Sequence, residues 1–177
     1  TLGGCAELVS RGAEALGFSH GPLARNAPGC DGQGVCCFGC PTGAKRSTDV
    51  SYVPDALRAG ATVITHARVH AVQTDGHRAT GLDVRVLGAD GTVRQLSVRA
   101  RVIALACGAA QTPAVLMRSG LCGSSGELGA NLTIHPASYS WAEAPGRVEG
   151  WRAIPQGYSL ECPTDDGIRY EGVFMPL

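Results

Sequence analysis

The chain has 177 residues, enough for one ordinary domain or one large piece of a bigger one. Its 15 Lys and Arg balance 15 Asp and Glu to a net charge of zero, spread without blocks, which argues against the basic surface that nucleic-acid phosphates require. With 44% apolar and 17% charged residues the composition is globular rather than disordered, and its longest apolar run, about Val102 to Cys107, falls far short of the ~18 residues of a membrane-spanning helix.

The chain opens at Thr1 without an export signal, and it reads as cut from something longer. From Gly4 to Leu16, residues Cys5, Leu8, Val9, Ala13 and Leu16 recur at helical spacing, with Gly17 as a left-handed stop. Phe18 to Lys45 is rich in Gly, Pro, Asn and Cys and keeps no period, so it is predicted to be a long ordered loop. A short helix is expected over Thr48 to Ala59, with Pro54 kinking it or occupying its first turn and Gly60 ending it. The period then becomes two. Thr62 to Val72 alternates up to the Asp75-Gly76 turn, Leu82, Val84 and Val86 follow, and Leu96, Val98, Ala100 and Val102 return after Ala89-Asp90-Gly91, which predicts an antiparallel β-meander. Val102 to Cys107 is apolar on both faces, as a buried strand of a parallel sheet would be. Gly108-Ala109-Ala110 comes next, then a helix capped by Thr112, with Pro113 at its first position and Ser119-Gly120 as its stop. Beyond Leu121, strands are expected at Ala137 to Ala142 and Tyr170 to Met175, the second still running as the chain breaks off at Leu177.

Small residues after a strand, at the start of a helix, let a backbone approach a cofactor and leave free N–H groups for phosphate. Cys107-Gly108-Ala109-Ala110 fits that description, although close helix–strand packing would select the same residues. The stretch Gly108-Ala109-Ala110-Gln111-Thr112-Pro113-Ala114-Val115-Leu116-Met117-Arg118-Ser119-Gly120-Leu121 resembles the second signature of the glucose-methanol-choline (GMC) flavoprotein oxidoreductases, departing where Cys122 replaces the final Gly. Cys37 to Lys45 with Ser47-Thr48-Asp49 is similar to the long-chain fatty alcohol oxidase branch of that family, and Leu128 to Pro136 to the segment after the signature.

The resemblance implies an α/β fold. Residues 61–120 would be part of an FAD-binding Rossmann-like domain carrying the meander, interleaved with an α+β substrate domain from 1–60 and 121–177. It implies an FAD enzyme that moves a hydride from an alcohol carbon to flavin, the substrate being a small-molecule, long-chain aliphatic alcohol. The cofactor contacts it implies are Val69, Cys107, Gly108 and Ala109, all through main chain. No G-x-G-x-x-G follows a strand, since Cys37 takes the third glycine position of the run from Gly32, and the family's catalytic His falls in a segment this chain does not reach. No catalytic residue is therefore assigned, and the chain is expected to be inactive without the N- and C-terminal parts of its own protein.

Eight cysteines are many, but Cys30, Cys36, Cys37 and Cys40 crowd one loop while the others scatter, unlike a secreted disulfide scaffold. We expect mostly reduced thiols and a cytoplasmic, or membrane-associated, protein. Cys37-x-x-Cys40-Pro41 has the form of an iron–sulfur loop end. Some sugar dehydrogenases of the family hold a three-iron cluster in a comparable loop, but there two adjacent cysteines come first. The alternatives are zinc and a tightly turned loop of small thiols, with one disulfide at most. His66 and His70 flank Arg68 in alternation, the spacing of a metal pair but also of the wet face of a sheet, and no metal ligand is assigned. His135 precedes Pro136 in a loop, while His20 and His77 carry no argument. Two other readings remain: a cysteine-loop metal-binding module without catalysis, and a truncated, degenerate relative.

Overall fold

The computed structural model describes residues 2–162 and 167–174. In chain order the elements are α1 (Gly3–Leu16), β1 (Ser19–Pro22), α2 (Tyr52–Arg58), β2 (Ala67–Asp75), β3 (Arg78–Leu87), β4 (Val93–Arg99), α3 (Gly108–Arg118), a 3-10 turn over Gly150–Arg152, β5 (Gln156–Glu161) and β6 (Arg169–Val173). They belong to two units, one built from residues up to 61 together with those from 140 onward, the other from 62–139.

In the first unit an antiparallel sheet of order β1-β5-β6 carries α1 across it. The helix buries Ala6 and Ala13 and ends at Gly17, whose φ of +68° lets the chain turn back while Phe18 N–H reaches the Ala13 carbonyl at 2.9 Å. Tyr158, buried on β5, joins three elements. Its hydroxyl donates to Ser10 Oγ of α1 at 3.1 Å and stands 2.7 Å from His20 Nδ1 of β1. Since the tyrosyl hydrogen goes to Ser10, His20 donates through Nδ1. Strand β1, with the sequence Ser-His-Gly-Pro, has little intrinsic strand propensity and falls inside the predicted loop. It forms because β5 offers partners, Ser19 facing Glu161 and His20 facing Leu160, and because Pro22 lies on a sheet edge where a missing N–H is tolerated. Helix α2 is shorter than expected, and Pro54 is its third residue, in the first turn.

The second unit is the meander, antiparallel in order β2-β3-β4, with α3 packed on β2. Alternation sorts its faces: Val72 and Val84 are buried, while Arg68, Asp83 and Arg85 are exposed. Strand β2 starts later than predicted, because His66 adopts φ +54°, a left-handed conformation that ends an extended run. A bulge between Val69 and Ala71 then offsets His70, so His66 and His70 do not share a strand face.

Two predicted strands are not formed. Val102 to Cys107 belongs to neither sheet, and Val102 is 84% exposed; Ala137 to Ala142 is likewise unpaired, with Tyr139 and Trp141 in solvent. Apolar composition can specify a strand only where another strand accepts its ladder, and no described strand lies beside either segment. Strand β6 covers the start of the predicted Tyr170 to Met175 strand; Met175 and Leu177 lie outside the described residues.

Candidate functional site

Helix α3 begins five residues earlier than predicted, at Gly108 rather than Pro113. Cys107 is its N-cap residue, and the Cys107 N–H donates to Thr112 Oγ1 at 3.0 Å, so the threonine secures the turn from inside the helix. Pro113 is consequently internal, where it removes the bond that its N–H would have given to the Ala109 carbonyl. The other end is pinned. Ser119 Oγ donates to the Val115 carbonyl at 2.7 Å and accepts the Val72 N–H at 2.8 Å, while Arg118 Nε donates to the His70 carbonyl at 3.0 Å. Val115, 3% exposed, supplies the buried contact between them. Locally Ser119 is only a stop signal; its role as the bridge from helix to strand depends on a contact 47 residues distant along the chain.

The predicted contact residues lie at two ends of this assembly. Val69 is half-buried on β2 opposite Val84, beside the bulge. Cys107, Gly108 and Ala109 are exposed at the amino end of α3. Gly108 has φ +85°, and no atom stands within 4 Å of where its Cβ would be, so the backbone is open on that side. The first helical turn contains no acidic residue, and Arg118 sits in the last. The positive end of the helix, with its unsatisfied N–H groups, thus has no internal counter-charge. An open backbone at positive φ beside an uncompensated helix amino end fits the phosphate-bearing part of a dinucleotide.

The cysteine loop is irregular. A turn from Val35 to Phe38 closes with an N–H to carbonyl bond of 2.9 Å, and another from Cys40 to Gly43 with one of 3.1 Å. The four loop cysteines are free thiols. Among the described residues no three of His, Cys, Asp and Glu converge on a point that could hold a metal ion. The Lys45 N–H, 3.4 Å from Cys40 Sγ, and then the Thr42 hydroxyl, 3.6 Å away, hold the Cys40 thiol below its ordinary range. His135 is exposed and makes no hydrogen bond among the described residues. A separate groove of about 370 Å³ on the polar face of the meander, lined by His70, Asp83, Arg85, Gln95 and Ser97 among others, holds none of the predicted contact residues. No described helix is long and apolar enough to cross a membrane.

Comparison with known proteins agrees with the signature. The chain is 38% identical over 176 residues to an uncharacterized GMC-type oxidoreductase of Mycobacterium tuberculosis H37Rv, a match that takes in 99% of this chain and 27% of that protein. It is 30% identical over 149 residues to a long-chain-alcohol oxidase of Arabidopsis thaliana, with 78% of this chain and 19% of the plant protein covered. An oxygen-dependent choline dehydrogenase of Yersinia pestis matches at 38% over 82 residues, covering 46% of this chain and 14% of that enzyme. The chain therefore spans about a quarter of its mycobacterial relatives and about a fifth of the plant ones. No solved structure matches it. The family profile described as GMC oxidoreductase matches residues 2–137, and the chain belongs to the GMC oxidoreductase family.

Proposed function

We propose that this chain is the central part of an FAD-dependent enzyme that oxidises the CH–OH group of alcohols, with long-chain aliphatic alcohols as the substrate class. The observation that carries the reading is the amino end of α3: Gly108 at positive φ with open space beside it, in a first turn free of acidic side chains. FAD, when bound, supplies the hydride acceptor.

The residues of this chain bind and orient. Cys107, Gly108 and Ala109 would present backbone to the dinucleotide, and Val69 would meet its adenine end. Helix α3 runs from Gly108 to Arg118, and Arg118 Nε donates to the carbonyl of His70, the residue after Val69, so one helix links the two contacts. Residues 61–120 then serve as part of a Rossmann-like FAD domain, with substrate-domain segments at 1–60 and 121–177. No residue here is assigned as the general base. The substrate class rests on the Cys37 to Lys45 loop and on relatives named as long-chain-alcohol oxidases.

The test uses the full-length protein. It should purify yellow, with oxidised-flavin absorbance near one per chain. Ala109→Glu, which brings a carboxylate to the exposed helix amino end, should weaken flavin affinity about two- to fivefold at equal yield, from the ~0.3–1 kcal/mol a charge is typically worth there. Colourless protein that takes up no added FAD would refute the flavin assignment, and faster turnover of sugars than of long alkanols would refute the substrate class.

A further inference from the structure

The oxidoreductase reading leaves the loop thiols unused, and their surroundings are unequal. Cys40 Sγ receives the Lys45 backbone N–H at 3.4 Å, with Thr42 Oγ1 at 3.6 Å placed to donate as well. Both contacts favour negative charge on sulfur, and the thiolate is the reactive form. Cys37, three residues earlier, is exposed and free. The two cysteines lie in successive hydrogen-bonded turns, Val35 to Phe38 and Cys40 to Gly43, and Gly39 between them has φ +133°. That conformation is easy only for glycine, so the backbone between the two cysteines includes a residue free of Cβ constraints. By contrast, burial raises the Cys5 thiol, and among the described residues no hydrogen bond reaches the sulfur of Cys107 or Cys122, although both are exposed.

We propose that Cys37 and Cys40 form a peroxide-sensitive dithiol, with Cys40 as the nucleophile and Cys37 as the resolving thiol. In the first step the Cys40 thiolate attacks hydrogen peroxide. The O–O bond breaks, one oxygen becomes Cys40 sulfenic acid and the other leaves as hydroxide. In the second, Cys37 sulfur displaces that hydroxyl and a Cys37–Cys40 disulfide forms. Two thiols have lost two electrons, peroxide has gained them, and two waters result once the protons are counted. A thiol reductant reverses the change. Peroxide is added from outside, so the outcome is independent of flavin content and of the alcohol reading.

The experiment treats reduced full-length protein with equimolar hydrogen peroxide at pH 7, quenches with an alkylating agent and maps each cysteine by mass spectrometry over time. Cys40 should lose alkylation faster than Cys107 and Cys122, since falling nucleophilicity cancels only about half of the logarithmic gain in thiolate. The product should be a peptide joining Cys37 to Cys40. Cys37→Ser should leave Cys40 trapped by dimedone as sulfenic acid, Cys40→Ser should leave Cys37 alkylatable, and Thr42→Val should bring the Cys40 rate closer to that of Cys107. Equal rates at Cys40 and Cys107 would overturn the proposal, as would linkage of Cys40 to Cys36 or to any other cysteine. Loop thiols that resist alkylation until a chelator removes stoichiometric iron or zinc would also overturn it.

Discussion

Gly34 sits in the cysteine loop at φ +76°, and a Cβ there would stand 2.5 Å from the Trp151 carbonyl oxygen, 2.9 Å from its carbon and 3.1 Å from the Ala153 carbonyl oxygen. All three atoms are backbone, so no change of rotamer relieves the overlap. An L residue in the left-handed region costs about 1–2 kcal/mol, and forcing extra volume into a close contact adds about 1–3 kcal/mol. Gly34→Ala should therefore lower stability by about 2–5 kcal/mol, a large share of a typical ~5–15 kcal/mol. Gly29 is the matched control, at φ +75° with nothing within 4 Å of its Cβ. Gly29→Ala should cost about 1 kcal/mol, the conformational part less the entropy lost by the unfolded chain. The difference between the two variants isolates the docking of the loop against residues 151–153. Urea unfolding of the full-length protein reads it as a shift in midpoint at constant slope. Midpoints for the two variants that agree to within about 0.5 kcal/mol would refute the argument.

Val115→Ala removes two methyl groups from the buried contact of α3 on the meander and should cost about 2 kcal/mol in the same measurement. Tyr158→Phe leaves Ser10 Oγ and His20 Nδ1 without their shared partner, for about 1–2 kcal/mol, and nitrogen NMR should show the His20 proton no longer fixed at Nδ1. Arg68 and Arg85 face each other directly across β2 and β3, both exposed and without an ion pair among the described residues, so Arg68→Glu should stabilise the protein by about 0.5 kcal/mol, an effect that about 1 M salt removes. At the β3–β4 turn, Asp90 accepts from Thr92 Oγ1 at 2.7 Å, the Thr92 N–H at 3.1 Å and Arg94 Nη2 at 2.9 Å, which holds its carboxyl below the ordinary range. A carboxyl depressed in the folded state stabilises it above the unfolded value and loses that effect as pH falls through the folded one. Asp90→Asn should accordingly flatten the acid limb of the stability profile, and an unchanged limb would count against this role.

The residues themselves determined whatever depends on near neighbours. Cys5, Leu8, Val9, Ala13 and Leu16 with Gly17 specify α1 and its end, because helical spacing and a left-handed stop are both set within a few residues. The meander is equally local: alternation gives each strand two unlike faces, and Asp75-Gly76 and Ala89-Asp90-Gly91 place the reversals between them. Ser119-Gly120 ends α3 for the same reason. Where a partner far along the chain decides, the local signal misleads. Ser19 to Pro22 is a strand only because Gln156–Glu161 pairs with it, whereas Val102 to Cys107, with far stronger strand composition, has no described neighbour and is not one. The amino end of α3 shows both effects together. Its small residues were legible as an open backbone, but its start at Gly108 rather than Pro113 follows from a hydroxyl that reaches back to the Cys107 N–H. Sequence sets the periods, turns and caps; tertiary structure chooses which backbone groups find partners, since each N–H and carbonyl must be satisfied by whatever the fold brings beside it.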